Sequence, residues 1–533
     1  MRFLITNSFY LEVIFFTVLV IFIQSSVKNE VKANSIFLFN EIKHDIMDYD
    51  EKKEILLFNS KTTVAIGEKF TFNFTGIQNY TEEYFLYTWY ASISGINNSM
   101  DFILGNYTLN LGSGLIMGKK AFMTSDPFAR RFIMSRDKAI TPSSNGNPIY
   151  SLSGATADIH YTWHNCKMSI VPFVSCQERY IKPEDSEQGF IKSSLTTLNT
   201  KIHKQTGHEP VYIINYGLMS SIKLYSLFTL QVYAFETGLK KADLSNIAWD
   251  GEKQGIDKGI SKMYSGAMFL EYSDENISIF LEPAFSRKHA CEKIQGYAIM
   301  YGMAFKSKPF DISFMGKSTD SHFQADYSAG NHLPENTWEI KSAIKTFSWL
   351  KTGFSIYNQN YLLGGYNKSY IEGTRREEIS AEAKVLKSMD LKASVKSLSY
   401  YSDEYKDKKY QYILNINHSP FSFYSHSFKV MIQNQAGEKS QLYSPRISCN
   451  IGAFTFQAGF SLVKVSGDNY LYSGIPPGSG SFSSIYRFNK SGHGIAVRGE
   501  YKKNKNRFYI RSERTKIGED IKIKIESALT LLF

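Results

Sequence analysis

The sequence predicts an all-β fold, one large antiparallel transmembrane β-barrel of about 20–24 strands in a closed up-and-down meander. Three observations predict it. From about residue 50 onward, segments of about ten residues alternate apolar and polar positions between polar or Gly-rich breaks. After the first thirty or so residues, no stretch approaches the ~20 apolar residues that a membrane helix needs, so any membrane crossing would be made by strands. The chain closes on a two-faced strand, with Ile521, Ile523, Ile525, Leu529, Leu531 and Phe533 on one side and Lys522, Lys524, Glu526 and Thr530 on the other.

Residues 1–33 read as a signal peptide. Arg2 gives a weakly positive start, Val13–Ile23 is uncharged and apolar, and Val31-Lys32-Ala33 offers small residues for cleavage, as would Ser25 or Ser26. Glu12 is atypical for such a leader, and extending the apolar run back to Phe9 gives the alternative of a retained anchor. Residues 34–52 form a short N-terminal segment, a helical turn or short strand around Phe39–Met47, too short to fold as a plug domain. Residues 53–533 are then the barrel.

Within it the alternation is explicit. Phe70, Phe72 and Phe74 share one face against Thr71 and Asn73, and Phe85, Tyr87, Trp89, Ala91 and Ile93 repeat the pattern. So do Tyr410, Tyr412, Leu414 and Ile416 against Gln411, Asn415 and Asn417, then Tyr424, Phe428, Val430 and Ile432, then Phe454, Phe456, Ala458, Phe460 and Leu462. Successive strand side chains point to opposite faces, so an apolar face backed by a wet one suits a wall between lipid and a polar lumen. Hairpins are predicted at Lys69–Ile93, Val211–Tyr233, Tyr264–Leu281, Thr337–Tyr357, Tyr410–Ile432 and Tyr486–Ile510. Polar stretches Ser125–Asn147, Lys182–Glu209, Lys240–Lys262 and Ser318–Glu335 are expected extracellular loops, and Asn417–Pro420 a periplasmic turn.

Composition agrees with a strand-rich chain: 39 Phe, 35 Tyr and 5 Trp make up 15% of the residues, while Pro is held to 13. The formal charge of +11 accompanies abundant Lys, Asn and Ile, as AT-rich coding gives, and is not gathered into a basic arm or helix, so no nucleic-acid partner is evident. Four cysteines, Cys166, Cys176, Cys291 and Cys449, are too few for a disulfide framework and are expected as free thiols.

The closing strand with its terminal aromatic, carried by Ile523, Ile525, Leu529, Leu531 and Phe533, resembles the signal read by the outer-membrane assembly machinery of Gram-negative bacteria. That resemblance implies a bacterial outer-membrane location, with outer-membrane lipids and the assembly machinery as partners. A periplasmic partner is left open. A second resemblance lies further in. Leu104-Gly105-Asn106-Tyr107-Thr108-Leu109-Asn110-Leu111-Gly112-Ser113-Gly114-Leu115 is similar to a segment of large outer-membrane barrels of Bacteroidota, often joined to a helix-hairpin-helix domain. Ile140–Ser144 with Leu152–Thr156, and more loosely Ser193–Gly207, extend the likeness to about a quarter of the chain. The helix-hairpin-helix domain has no counterpart in this sequence, so DNA uptake is not implied. Gly105, Asn106, Tyr107, Gly112 and Gly114 are the motif residues, and the glycines read as positions of tight bending or close backbone approach.

No catalytic, metal or cofactor site is expected. Ser143-Ser144-Asn145-Gly146 is similar to the Ser-Asn-Gly of outer-membrane phospholipases, but Pro142 stands where their base lies. His160, His164 and Cys166 match no strong zinc spacing and suit a hairpin end. Gly474–Ser481 is a loop tip without a following helix to cradle phosphate. Arg375-Arg376-Glu377-Glu378 could line a lumen. The expected function is a channel or uptake pore for small polar solutes, with a surface-exposed adhesin or structural barrel as the alternative.

Overall fold

The computed structural model describes residues 36–532 except for interstrand segments, the longest being 119–138, 144–150, 182–208, 241–260, 362–372 and 475–484; side chains are described within Lys61–Gly518. Twenty-four strands pair in chain order, each antiparallel to the next, from Ile36–Asp50 to Asp520–Leu532. The last strand also pairs with the first, Phe39 opposite Leu532 and Ile46 opposite Ile525, so every strand of the meander has a neighbour on each side. With ~4.8 Å between strands tilted by ~40°, such a ring is about 150 Å around and about 50 Å across if circular.

The sheet starts earlier than residue 53. Ile36–Asp50 is a full strand laddered to Lys53–Ile66 on one side and to Asp520–Leu532 on the other. The expected turn at Asn417–Pro420 lies inside the strand Lys406–Phe421, and the chain reverses one step later, between Phe421 and Tyr424. Five of the six predicted hairpins fall on strand pairs such as Phe70–Asn79 with Tyr84–Ile96 and Glu209–Leu224 with Phe228–Lys240. The sixth, Tyr486–Ile510, begins in Ile485–Phe488, which pairs with Leu471–Gly474, and the wall hairpin there is Gly492–Lys503 with Asn506–Ile517. Residues 1–35 and Phe533 lie outside the described residues.

Burial across the wall is inverted relative to a soluble protein. In the strand Cys166–Ile181, Ile170 is 49% and Val174 48% exposed, while Ser169, Ser175 and Gln177 on the other face are buried. The same holds for Leu218 and Tyr216 against Asn215, and for Leu462 and Phe460 against Ser461. A continuous exposed apolar face backed by a buried polar one is stable only where hydrocarbon, not water, meets the outside. Replacing Val174 with Arg tests this directly: near the middle of its strand it should cost about 2–4 kcal/mol in lipid-refolded protein. An unchanged unfolding midpoint would mean that the face is wet.

The two ends of the strands differ. At one end no connection exceeds three residues, as at Trp163–Cys166, Ser273–Ile277, Phe347–Leu350 and Leu386–Met389. The connections that follow Leu109, Ile181, Lys240, Thr319, Tyr361 and Lys464 all lie at the other end and are much longer. Short turns on one side and long loops on the other are the usual asymmetry of outer-membrane barrels. Around the short-turn end, Trp163, Tyr225, Phe228, Phe347, Trp349, Phe421, Phe423 and Phe454 are exposed, and Phe347 stacks on Trp349 at 5.5 Å, as in an interfacial aromatic girdle. The short turns satisfy their own polar groups. Asp274 accepts from the Tyr272 hydroxyl and from the backbone N–H of Asn276 and Ile277, each at 2.7 Å, and these bonds hold its carboxyl below the usual range.

The apolar core lies on the inward face. Val171, Phe173, Met219, Tyr233, Phe269, Phe280, Met300 and Met315 are all buried there, together with side chains of a segment that leaves the wall.

Candidate functional site

The strand Met100–Leu109 begins as wall and ends as filling. From Met100 to Gly105 it pairs with Tyr84–Ile96, and then the two part. Gly105 sits at φ +95°, where a Cβ would collide with the carbonyl oxygen of Trp89. Only glycine adopts that conformation without strain. The Trp89 N–H that loses its ladder partner is taken up by the side-chain oxygen of Asn106 at 3.0 Å, and the Asn106 amide donates to Ser151 Oγ at 3.2 Å. Tyr107 is fully buried, and its hydroxyl donates to the carbonyl of Val174 at 2.8 Å.

Beyond Tyr107 the chain pairs with a three-residue strand, Ile140–Pro142, and Asn110 N–H donates to the Ala139 carbonyl at 2.8 Å. Leu109, Leu111, Leu115, Ile116 and Ile140 are all buried against the inward face of the wall. Gly112, at φ +48°, leaves no room for a Cβ beside the Glu282 carboxylate. Its N–H donates to Gln231 Oε1 at 3.0 Å. The backbone N–H and hydroxyl of Ser113 donate to Glu282, as does the Tyr233 hydroxyl. A fully buried carboxylate is costly unless several donors face it, and these donors anchor the inserted segment to the strand Ile277–His289. Met117–Gly118 then runs parallel to Tyr327–Ser328, so the connection following Thr319 joins the same inward assembly, with Phe323 in its core.

A second element enters from the long-loop end. The hairpin Leu471–Gly474 with Ile485–Phe488 buries Leu471 and Phe488 against Met431, Leu442 and Val463 of the inward wall. Ser466 N–H donates to Ser440 Oγ at 3.1 Å, tying its base to the barrel rim. The sequence predicts no plug domain. The filling comes instead from the barrel's own connections.

Between these elements the inward wall is polar. Lys341 pairs with Glu339 at 2.9 Å, Lys396 with Glu378 at 3.1 Å, and Arg498 with Glu500 at 2.8 Å, while Gln411 donates to Gln433 at 2.9 Å. The expected Arg375–Glu378 lining divides by alternation. Glu378 faces its lumen partner Lys396, and Arg375 pairs with Glu377 on the other face, where both are exposed.

The motif residues Gly105, Asn106, Tyr107 and Gly112 are thus brought together at one inward fold, while Gly114 lies outside the described residues. Register alone locates the residues of the closing strand: Leu529 stands opposite Phe508, Ile525 opposite Ser512, Ile523 opposite Arg514 and Leu531 opposite Asn40. His164 lies in the turn Trp163–Cys166 at φ +52°, and Cys166, Cys176 and Cys449 are free thiols. Cys291 lies outside the described residues. Ser143 is buried inside the insertion, its N–H on the Asn106 carbonyl at 2.9 Å. Glu282, Gln231 and Tyr233 had no individual signal in the sequence. A collective one existed, because Met263, Ala267, Phe269, Phe280, Ala284, Ala298 and Met300 make the inward face of three successive strands apolar, and a sheet apolar on both faces is covered on both.

The chain matches no family model and no curated protein. Among solved structures it is similar to the P pilus usher (PapC) translocation pore, at 7% identity and a TM-score of 0.42 over 93% of this chain and 99% of that one. It is also similar to the siderophore receptor PirA from Acinetobacter baumannii, at 8% identity and 0.45 over 94% and 81% of the two chains. The FrpB iron transporter from Neisseria meningitidis gives 6% identity and 0.42 over 95% and 83%.

Proposed function

We propose that this chain is a bacterial outer-membrane channel for the uptake of small polar solutes, and that it has no enzymatic role. One observation carries the reading: the segments that follow Leu109 and Thr319 fill the lumen beside the strands from Met100 to Thr319, whereas the inward wall from Glu335 to Ser461, covered by the hairpin Leu471–Phe488 only around Met431 and Leu442, keeps paired charges and amides. Charged and amide groups facing inward are stable where water and polar solutes reach them. On this reading the inward segments narrow the bore to solute size, since an unobstructed ring about 50 Å across would select nothing.

Planar-bilayer recording of the refolded protein tests it. Discrete conductance steps are expected; their absence at every voltage would favour the second reading, a surface-exposed adhesin or structural barrel. The long connections gathered at one end speak for that alternative. Its own test is loss of surface binding after trimming residues 182–209. The likeness to the Bacteroidota barrels extends the proposal, with the Leu104–Leu115 motif as the family's means of turning a wall strand inward. In the same way the closing strand, Ile523 to Phe533, serves as the segment engaged by the assembly machinery.

A further inference from the structure

Two histidines eight residues apart in the chain meet on the outward face of the hairpin Lys406–Phe421 with Tyr424–Gln435. Phe421 pairs with Tyr424, and an unbroken ladder from there would set His418 opposite Ser427. The register shifts between Phe421 and His418, so that Ser419 and Pro420 together face Ser425 and His418 stands opposite His426. Pro420 has no N–H to give to the ladder, which suits it to such a bulge. Further along the strands the same face continues with Ile416 opposite Phe428 and Tyr412 opposite Ile432, and Phe428 and Tyr412 are both exposed.

The two rings meet edge-on, at 89° with centroids 4.9 Å apart, and Nδ1 of His418 lies 3.4 Å from Nε2 of His426. As a hydrogen bond this is long, well past the ~3.0 Å at which N–H donors settle. As one edge of a coordination tetrahedron it fits. Two imidazole nitrogens, each about 2.05 Å from one ion and about 109° apart, are about 3.3–3.4 Å from each other, whereas a square-planar ion would draw them to about 2.9 Å. No other hydrogen bond holds the His426 ring, whose Nδ1 is buried without a partner. Among the described residues no third His, Cys, Asp or Glu joins the pair, so two corners of the tetrahedron are left to water or to a donor brought by another molecule. An open site has this make-up; a closed structural one would supply all four ligands.

The pair sits beside the aromatic girdle of the short-turn end. Tyr424 packs 5.6 Å from the His426 ring, and Phe421 stacks on Phe423 at 5.3 Å around the turn. Both histidines are partly buried, so apolar contacts orient the rings while the turn beside them meets water. We infer that His418 and His426 form an open binding site for a transition-metal ion of tetrahedral preference, such as zinc, on the outer surface of the barrel. The inference is independent of the channel reading and requires only that this hairpin form.

Isothermal titration calorimetry of zinc chloride into the untagged full chain, refolded in detergent, tests it. Zinc should bind, and His418→Gln and His426→Gln should each weaken the tightest binding step by about tenfold or more, because one imidazole cannot chelate. Magnesium, which takes oxygen ligands, should not bind there. If a glutamine variant does not assemble, His426→Tyr is read the same way, since tyrosine is an ordinary residue of such a girdle. No zinc binding by the wild-type chain, or equal binding by a folded variant lacking either histidine, overturns the inference. So does magnesium binding that the same variants abolish.

Discussion

Replacing Glu282 with alanine is expected to free the segment around Gly112 and Ser113 and to raise the current that each open barrel carries. The carboxylate is fully buried and accepts from the Ser113 backbone, the Ser113 hydroxyl and the Tyr233 hydroxyl. Alanine leaves all of these donors facing an empty space. Hydrogen bonds to a charged acceptor contribute about 1.5–3 kcal/mol each, so even with strong non-additivity the loss is about 3–5 kcal/mol. The wall should survive, because the strand Ile277–His289 keeps its ladders to Ser261–Ser273 and Lys293–Lys306. The destabilisation therefore falls on the inserted segment, whose open population rises by about two to four orders of magnitude. Faster amide exchange at Gly112 and Ser113, with unchanged exchange along Ile277–His289, is the direct readout, and larger single-channel steps the functional one. Glu282→Gln keeps one acceptor oxygen and should fall between the two. Unchanged exchange at Gly112 and Ser113 in the alanine variant would show that the buried carboxylate is not what holds the segment.

The wall was legible in the sequence because its cause is local. Period-two alternation decides which face each residue takes, and Phe70, Phe72 and Phe74 or Phe454, Phe456 and Phe460 lie on the outward face as their spacing predicts. The first strand was less legible for the same reason. Ile36-Phe37-Leu38-Phe39 is apolar at both parities, and Glu41, Lys43, His44 and Asp45 break the alternation after it, so Ile36–Asp50 is a strand by virtue of its two partners. The insertion was hidden by a different cause. Leu109, Leu111 and Leu115 contact protein, not lipid, yet apolar residues at alternate positions look alike in either setting. The glycines of the motif are legible as backbone devices. What they serve depends on Glu282, 169 residues away from Ser113, and on a lumen that exists only once the ring is assembled.

The device that starts the insertion is Gly105, and Gly105→Val should be strongly damaging to the wall. Two independent costs coincide. At φ +95° a β-branched residue is strongly disfavoured, and the added Cβ meets the Trp89 carbonyl oxygen and the Tyr90 backbone. Relaxation is blocked on both sides, because Gly105 pairs with Tyr90 in one direction and with Gly154 in the other, while Asn106 holds the Trp89 N–H. Together these amount to about 3 kcal/mol or more. Gly499 provides the contrast: a Cβ added there would meet no atom within 4 Å, and its φ is ordinary. Gly499→Ala should change stability by about 0.5 kcal/mol or less. Urea unfolding in lipid vesicles, followed by Trp fluorescence, compares the two, and the folded fraction by gel mobility reports whether the valine variant assembles. If Gly105→Val unfolded at the wild-type midpoint, the departure of the strand from the wall could not depend on glycine there, and the inward turn would have to be imposed by the Leu109–Ile116 core alone.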